Sequence, residues 1–208
     1  MKRTYASILA AIVFSAVMAV AQDSGGTGGS SSTPPPVTGQ TIEQRKDNQQ
    51  QRIGNGVENG SLTAGEAGRL ETREKNLNTE ERAMRVADNG KLTAADKAKL
   101  NRQQNRLSNA IYRDKHNSIN QPPVNSEVNA RDRMQQERIG QGIKSGSLTA
   151  GEAANLEHKE AALNREQRAM RATNGGKLSP GQKAVVNQQQ NAMSRQIYNK
   201  KHNGRTQR

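Results

Sequence analysis

Residues 59–71, NGSLTAGEAGRLE, recur as residues 145–157, SGSLTAGEAANLE, and their order of glycine, apolar residue and terminal acid matches the back half of a loop folded round a calcium ion. Such a loop needs oxygen donors at its positions 1, 3 and 5 and a bidentate glutamate at position 12. Placing Gly60 at the sixth position puts Asn55, Val57 and Asn59 at the first three sites and Glu66 at the twelfth, and Val57 has no oxygen to give. The loop around Gly146 has Ile143 at its third site, the loop around Gly90 offers Arg85, Ala87 and Asn89, and the loop around Gly176 offers Arg171, Thr173 and Gly175 with Gln182 last. These loops lack the negative charge that would offset the loss of calcium's hydration shell, so no metal ligands are expected in them.

The same residues suit a second chemistry. In a capping box a Thr or Ser side chain accepts a bond from the backbone N–H three residues on, and an acidic or amide side chain there bonds back. Thr63 with Glu66, Thr93 with Asp96, Thr149 with Glu152 and Ser179 with Gln182 fit this spacing, and Pro180 suits the first helical position of the last one. Leu62, Leu92, Leu148 and Leu178 precede the caps as candidate hydrophobic staples, and the glycine two residues before each leucine suits a tight turn. The motif therefore reads as a helix start.

Other chemistry is sparse. His116 and His202 follow Lys115 and Lys201 at corresponding places near helix ends, where a cation meets the negative end of the helix dipole, and His158 has Thr72 as its counterpart. With no cysteine and no histidine pair at ligand spacing, neither a zinc nor another transition-metal site is expected. GNGVENG, residues 54–60, misses the dinucleotide spacing and follows a helix rather than a strand, so it reads as a helix-ending turn. No catalytic residue, cofactor or metal ligand is assigned, and the chain is expected not to be an enzyme.

The elements that hold these residues come in two copies. A shift of 86 residues aligns 42–117 with 128–203 without a gap, at roughly half identity, the mark of a duplicated structural unit. Each unit reads as three helices, over about 42–58, 64–88 and 94–115 in the first, with apolar stripes such as Leu70, Leu77 and Met84, then Leu100, Leu107 and Ile111. Nothing alternates with a period of two, so no strands are expected. The predicted fold is all-α: a signal peptide at 1–21, a Gly/Ser/Pro linker at 22–40, a three-helix unit at 41–117, a linker at 118–127 marked by Pro122-Pro123, a second unit at 128–203 and a basic tail at 204–208. Counting Ile, Leu, Val, Met and Tyr, residues 42–117 hold only thirteen large apolar side chains. Such a thin core suggests that the units pack on each other or on another chain, or stay partly open with apolar grooves.

The signal-peptide expectation rests on Lys2 and Arg3, the apolar run 8–20 and the triplet Ala19-Val20-Ala21, a run too short to span a bilayer comfortably. Export to a bacterial periplasm or the medium, folding without disulfides, follows from it. The chain holds 32 Lys and Arg against 19 Asp and Glu, a formal charge of +13, which falls to +11 once Lys2 and Arg3 leave. So basic a protein favours polyanions. Export and the lack of aromatic platforms, with only Tyr112 and Tyr198 beyond the leader, argue against nucleic acid. Glu71 with Lys75, and Glu81 with Arg85, read as exposed i,i+4 ion pairs, and the Gln-rich runs 49–52 and 102–106 as solvated helix faces.

The Gly-x-Leu-Thr-x-x-Glu starts resemble half of an EF-hand loop. They also resemble the Leu-Thr-x-x-Gln helix starts of Spy/CpxP-type periplasmic chaperones, for which Leu178 to Gln182 is nearest. That resemblance implies a small, exported, all-helical chaperone, although the acid at Glu66, Asp96 and Glu152 and the duplication depart from its pattern. The layout over 42–203 is similar to exported bacterial proteins built from such repeats, which carry no assigned activity. The expected function is a non-enzymatic exported interaction protein that engages anionic envelope material or other proteins through basic, Gln-rich helices. A Spy-like chaperone is the alternative and a degenerate calcium module the third reading.

Overall fold

The computed structural model describes residues 39–207. The expected signal peptide, residues 22–38 of the expected linker and Arg208 lie outside the described residues. The described chain is all-helical: α1 (Ile42–Asn59), α2 (Ala64–Ala87), α3 (Ala94–Lys115), α4 (Glu127–Lys144), α5 (Ala150–Ala172) and α6 (Pro180–Lys201). Every one of these helices starts behind a polar cap. The four expected capping boxes form at Thr63, Thr93, Thr149 and Ser179, and a further box at Thr41 with Gln44 starts α1. α4 starts on Ser126, whose hydroxyl accepts from the Asn129 N–H.

The two triplets of helices are not separate bodies. Within each half the third helix lies against the first two, and across the halves α1 meets α4 and α2 meets α5. One apolar core runs through both, from Ile53, Leu70 and Leu107 to Ile139, Leu156 and Ile197, and a satellite of Val128, Leu178 and Val186 sits in the second half alone. Of the sequence alternatives for the thin cores, the halves packing on each other is the one observed.

The contact between halves joins positions 86 residues apart. A Cβ built on Gly54 would lie 2.9 Å from the Gly140 carbonyl oxygen, and one built on Gly140 would lie 2.8 Å from the Gly54 carbonyl oxygen. This reciprocity is that of a local two-fold contact, the geometry by which identical surfaces pair in homodimers. Two other equivalent pairs meet along it. Lys144 Nζ donates to Glu58 Oε2 at 2.8 Å, and His158 Nε2 lies 3.2 Å from Thr72 Oγ1. The Thr72 hydroxyl already donates to the Gly68 carbonyl, so the His158 Nε2–H is the donor.

The glycines of residues 54–60 divide the work. Gly54 admits α4, Gly56 leaves room for the Leu62 side chain, and only Gly60, at φ 79°, makes the turn after α1. The sequence reading of the whole run as a helix-ending turn is thus corrected, because Gly54 and Gly56 lie inside α1. The expected linker at 118–127 and the tail are docked segments. The Gln121 backbone N–H donates to the Gly60 carbonyl, and the equivalent Gln207 N–H donates to the Gly146 carbonyl.

Candidate functional site

The capping boxes settle what the repeated motif does locally. Thr63 Oγ1 accepts from the Glu66 N–H at 3.4 Å, and Glu66 Oε2 accepts from the Thr63 N–H at 2.9 Å and from its hydroxyl at 2.7 Å. The other Glu66 oxygen accepts from Asn117 Nδ2 at 2.7 Å, and Asn203 does the same for Glu152 in the second half at 2.6 Å. The carboxylate that would close a calcium loop is thereby occupied as a cap and as a tie to the end of the third helix.

The larger departure from sequence expectation lies in the acids. Among the described residues seven glutamates are buried, at positions 66, 71, 74, 81, 152, 157 and 160, against a single buried cation, Lys46. Glu71 is not the exposed partner of Lys75. It is fully buried and accepts from Gln50 Nε2 at 3.3 Å, as Glu157 accepts from Gln136 at 3.0 Å. The Gln-rich runs are solvated only in part: Gln51, Arg102, Asn105 and Arg106 are exposed, but Gln49 is buried with its Nε2 donating to the Gln104 carbonyl and Ser108 Oγ, and Gln135 repeats this with Gln190 and Ser194. These side chains satisfy backbone and hydroxyl groups inside each half, which buried polar atoms require.

Glu71 on α2 and Glu157 on α5 meet at the contact between halves, while Glu74 and Glu160 lie against charged groups of α1 and α4 in their own halves. Burial holds Glu71 well above the usual carboxylate range and the neighbouring Glu74 adds to it, against the Gln50 hydrogen bond. Burial does the same to Glu157, against the bond from Gln136, with Glu160 and Glu71 pushing in the same direction as burial. Glu74 is raised by burial to about 7, restrained by Lys46, and Glu160 is raised by burial to about 8, with Asp132 adding to it. The charges around the two acids differ because Asp132 occupies in α4 the place that Lys46 holds in α1, while Glu43, Asp47 and Glu81 are replaced by Asn129, Arg133 and Gln167. Neither oxygen of Glu74 or of Glu160 has a hydrogen-bond partner among the described residues.

Glu81 behaves otherwise. It accepts from Lys46 at 3.0 Å and from Arg85 at 2.6 Å, and despite the opposing effect of burial these bonds hold its carboxyl below the usual range. The expected Glu81–Arg85 pair is present, with Lys46 as a second partner that the sequence reading had missed.

With these acids inside, cations outnumber acids on the exterior, although Glu43, Asp47, Glu127, Glu137 and Glu166 are exposed there. Two cavities at corresponding places in the halves show this. One, of about 250 Å³, opens between the start of α2 and α5 and is lined by Arg133, Arg165 and Arg168, with Asp132 as its single acid. The other, of about 600 Å³, opens between the start of α5 and α2 and is lined by Lys75, Arg82 and Arg205 with no acid. Only Arg82 and Arg168 are equivalent positions, yet both cavities are cationic, and none of these six cations is in an ion pair among the described residues.

The remaining residues singled out by sequence have structural places. His116 and His202 close α3 and α6, their Nδ1–H groups donating to the Tyr112 and Tyr198 carbonyls at 2.7 Å while each ring stacks on that tyrosine. Val86, counted among the apolar set, is 83% exposed in the last turn of α2. Among the described residues no three His, Cys, Asp or Glu side chains converge as metal ligands would, and no helix is long and apolar enough to cross a membrane. Comparison with protein-family models, with characterised proteins and with solved structures finds no match, so the site is read from this chain's own residues alone.

Proposed function

We propose that this is a non-enzymatic, exported helical protein that binds anionic polymers of the cell envelope through its cationic exterior. The observation that carries the proposal is the segregation of charge: among the described residues, seven buried glutamates against one buried cation. Neutralising Glu71, Glu74, Glu157 and Glu160 by protonation would add up to four charges to the +11 that remains once Lys2 and Arg3 leave with the leader. A surface of this kind attracts polyanions by long-range electrostatics, and the arginines bring planar donors suited to phosphate and carboxylate oxygens. The two cavities are the natural places for anionic groups to seat, at Arg165 and Arg168 in one and at Lys75 and Arg82 in the other. The large apolar side chains that stay exposed, Val86, Ile119, Val124, Met134, Val185 and Tyr198, are divided among α2, the α3–α4 connection, α4 and α6. That distribution supports a polyanion partner more than an unfolded apolar client.

The test is fluorescence anisotropy with labelled polyphosphate and with isolated anionic envelope polymer over a salt series. Affinity should fall steeply as salt rises, because binding displaces counterions and screening shortens the reach of each charge. Exchanging Arg165 and Arg168 for serine should weaken binding more than removing two exposed cations elsewhere, such as Arg102 and Arg106. Failure of the wild-type protein to bind either polymer at low salt would contradict the proposal.

A further inference from the structure

The two cationic cavities occupy corresponding places, but their amides do not fare alike. In the smaller one the Gln121 amide nitrogen is engaged, donating to the Val57 and Leu62 carbonyls and to Gln136 Oε1. Gln207, the same position in the second half, lines the larger cavity. Its Oε1 accepts from the Ala150 N–H at 2.7 Å, which fixes the orientation of the amide, and its buried Nε2 has no partner among the described residues. Asn78 of α2 lines the same cavity, is only 7% exposed, and has a buried Oδ1 that is equally without a partner. An unmet donor and an unmet acceptor thus belong to one cavity, and buried polar groups left in that condition are costly.

The cations of this cavity come from both halves. Lys75 and Arg82 stand on α2, and Arg205 lies in the tail that follows α6. The Lys75 stem reaches over the start of α5, its Cε lying 3.8 Å from the place of a Cβ built on Gly151. Arg82 Nε donates to the Asn78 carbonyl at 3.1 Å, which sets its guanidinium one turn beyond the Asn78 amide. None of the three cations forms an ion pair among the described residues, and no acid lines the cavity. Packing does not call for a glycine at 151, since a Cβ there would meet nothing closer than 3.5 Å. Its bare backbone leaves the first turn of α5, the end of a helix that attracts anions, open to close approach.

We propose that the larger cavity is a binding site for a phosphorylated polyol, that is, a phosphoryl group flanked by hydroxyls. The inference rests on the polyanion reading above and names the unit that is held. A phosphoryl group brings roughly two charges and several acceptor oxygens, which suits three cations at once better than the single charge of a planar carboxylate. A phosphate oxygen accepts from Gln207 Nε2, but only a donor satisfies Asn78 Oδ1, and a hydroxyl supplies donor and acceptor together. A ligand held in this way touches α2 in the first half and the start of α5 and the tail in the second, so it also braces the contact between the halves.

Isothermal titration calorimetry at low salt with glycerol phosphate, ethyl phosphate and inorganic phosphate tests the site. Glycerol phosphate should bind about fivefold or more tighter than the other two, the gain of an ordinary hydrogen bond, and should raise the melting temperature. Asn78→Ala removes an oxygen that has no protein partner, so the variant should fold, and it should erase the preference for glycerol phosphate over ethyl phosphate. Gln207→Glu keeps an acceptor for the Ala150 N–H and sets a second oxygen in place of Nε2, and Lys75→Ser with Arg205→Ser removes two cations. Each should weaken binding of glycerol phosphate by about tenfold or more, whereas Arg102→Ser with Arg106→Ser should change it by less than about twofold. An oligomer of glycerol phosphate joined by diesters, compared at equal phosphate, tells a polymer unit from a free phosphomonoester as the source, and tighter binding of either that needs Lys75 and Arg205 bears the proposal out. No heat with both glycerol phosphate and the oligomer, equal affinity for glycerol and ethyl phosphate, or unchanged affinity in Gln207→Glu and in the Lys75 and Arg205 variant would each overturn it. Should salt-sensitive polymer binding persist beside such a result, only the phosphorylated-polyol site fails; should polymer binding be absent as well, the polyanion reading fails with it.

Discussion

Gly54 is the sharpest probe of the contact between α1 and α4. In an exposed helix interior, alanine in place of glycine stabilises by about 0.8–1 kcal/mol. At Gly54 the added methyl would lie 2.9 Å from the Gly140 carbonyl oxygen and against Lys144 Cγ, and only the lysine stem can swing away. The carbonyl belongs to a helix, so relief requires α1 and α4 to move apart, and overpacking of this kind costs about 1–3 kcal/mol. The net expectation for Gly54→Ala is a loss on the order of 1–2 kcal/mol, or a melting temperature lower by about 3–8 °C in a body of this size. Gly140→Ala should behave alike, and the double variant should lose less than the sum, since both relieve the same approach. Gly181→Ala is the control. A Cβ there meets nothing within 4 Å, so that variant should hold or gain up to about 1 kcal/mol. Thermal unfolding followed by circular dichroism at pH 6 decides the matter. A Gly54→Ala protein as stable as Gly181→Ala would refute the close approach of the two helices.

Three other outcomes are expected. Thr63→Ala and Thr149→Ala each remove a capping hydroxyl and should each cost about 1 kcal/mol by urea unfolding, with α2 or α5 losing hydrogen-exchange protection in its first turn. Lys46→Met leaves Glu81 to Arg85 alone and deprives Glu74 of its cation, so it should cost about 3 kcal/mol near pH 7 by the same assay. Glu81 is held below the usual range, so its share of that stability is present above pH 4.5 and lost in acid. The Lys46→Met deficit should therefore shrink as pH falls below 4.5. Millimolar calcium should leave the melting temperature unchanged, because Glu66 and Glu152 are engaged by their caps and by Asn117 and Asn203; a rise would show a bound ion.

Helix boundaries were legible because caps are local. A Thr or Ser three residues ahead of an acid or amide fixes a start whatever packs on it later, and the predicted ends at 58, 88 and 115 fall within one residue of those of α1, α2 and α3. The buried acids were hidden for the opposite reason. Leu70 and Leu77 mark the apolar face of α2, and Glu71 and Glu74 lie off that stripe, on a face that Gln50 and Lys46 of α1 cover together with Glu157 of the second copy. A periodicity analysis of one helix cannot see a partner 86 residues away. A trace was present all the same: Gln50, Glu71 and Glu74 keep their identity at 136, 157 and 160 while Lys75, Asn76 and Thr79 do not keep theirs. Polar residues repeated while exposed neighbours drift are candidates for interior positions. The glycines of residues 54–60 were ambiguous similarly, since a turn and a close approach both call for the missing side chain, and only the position of α4 separates them.

The account rests on protonated acids inside and free cations outside, which a hydrogen-ion titration of the folded protein against the same protein in concentrated urea measures directly. Near pH 6 the folded chain should hold about four more protons than the unfolded one, from Glu71, Glu74, Glu157 and Glu160. Coincident titration curves between pH 5 and 8 would contradict it.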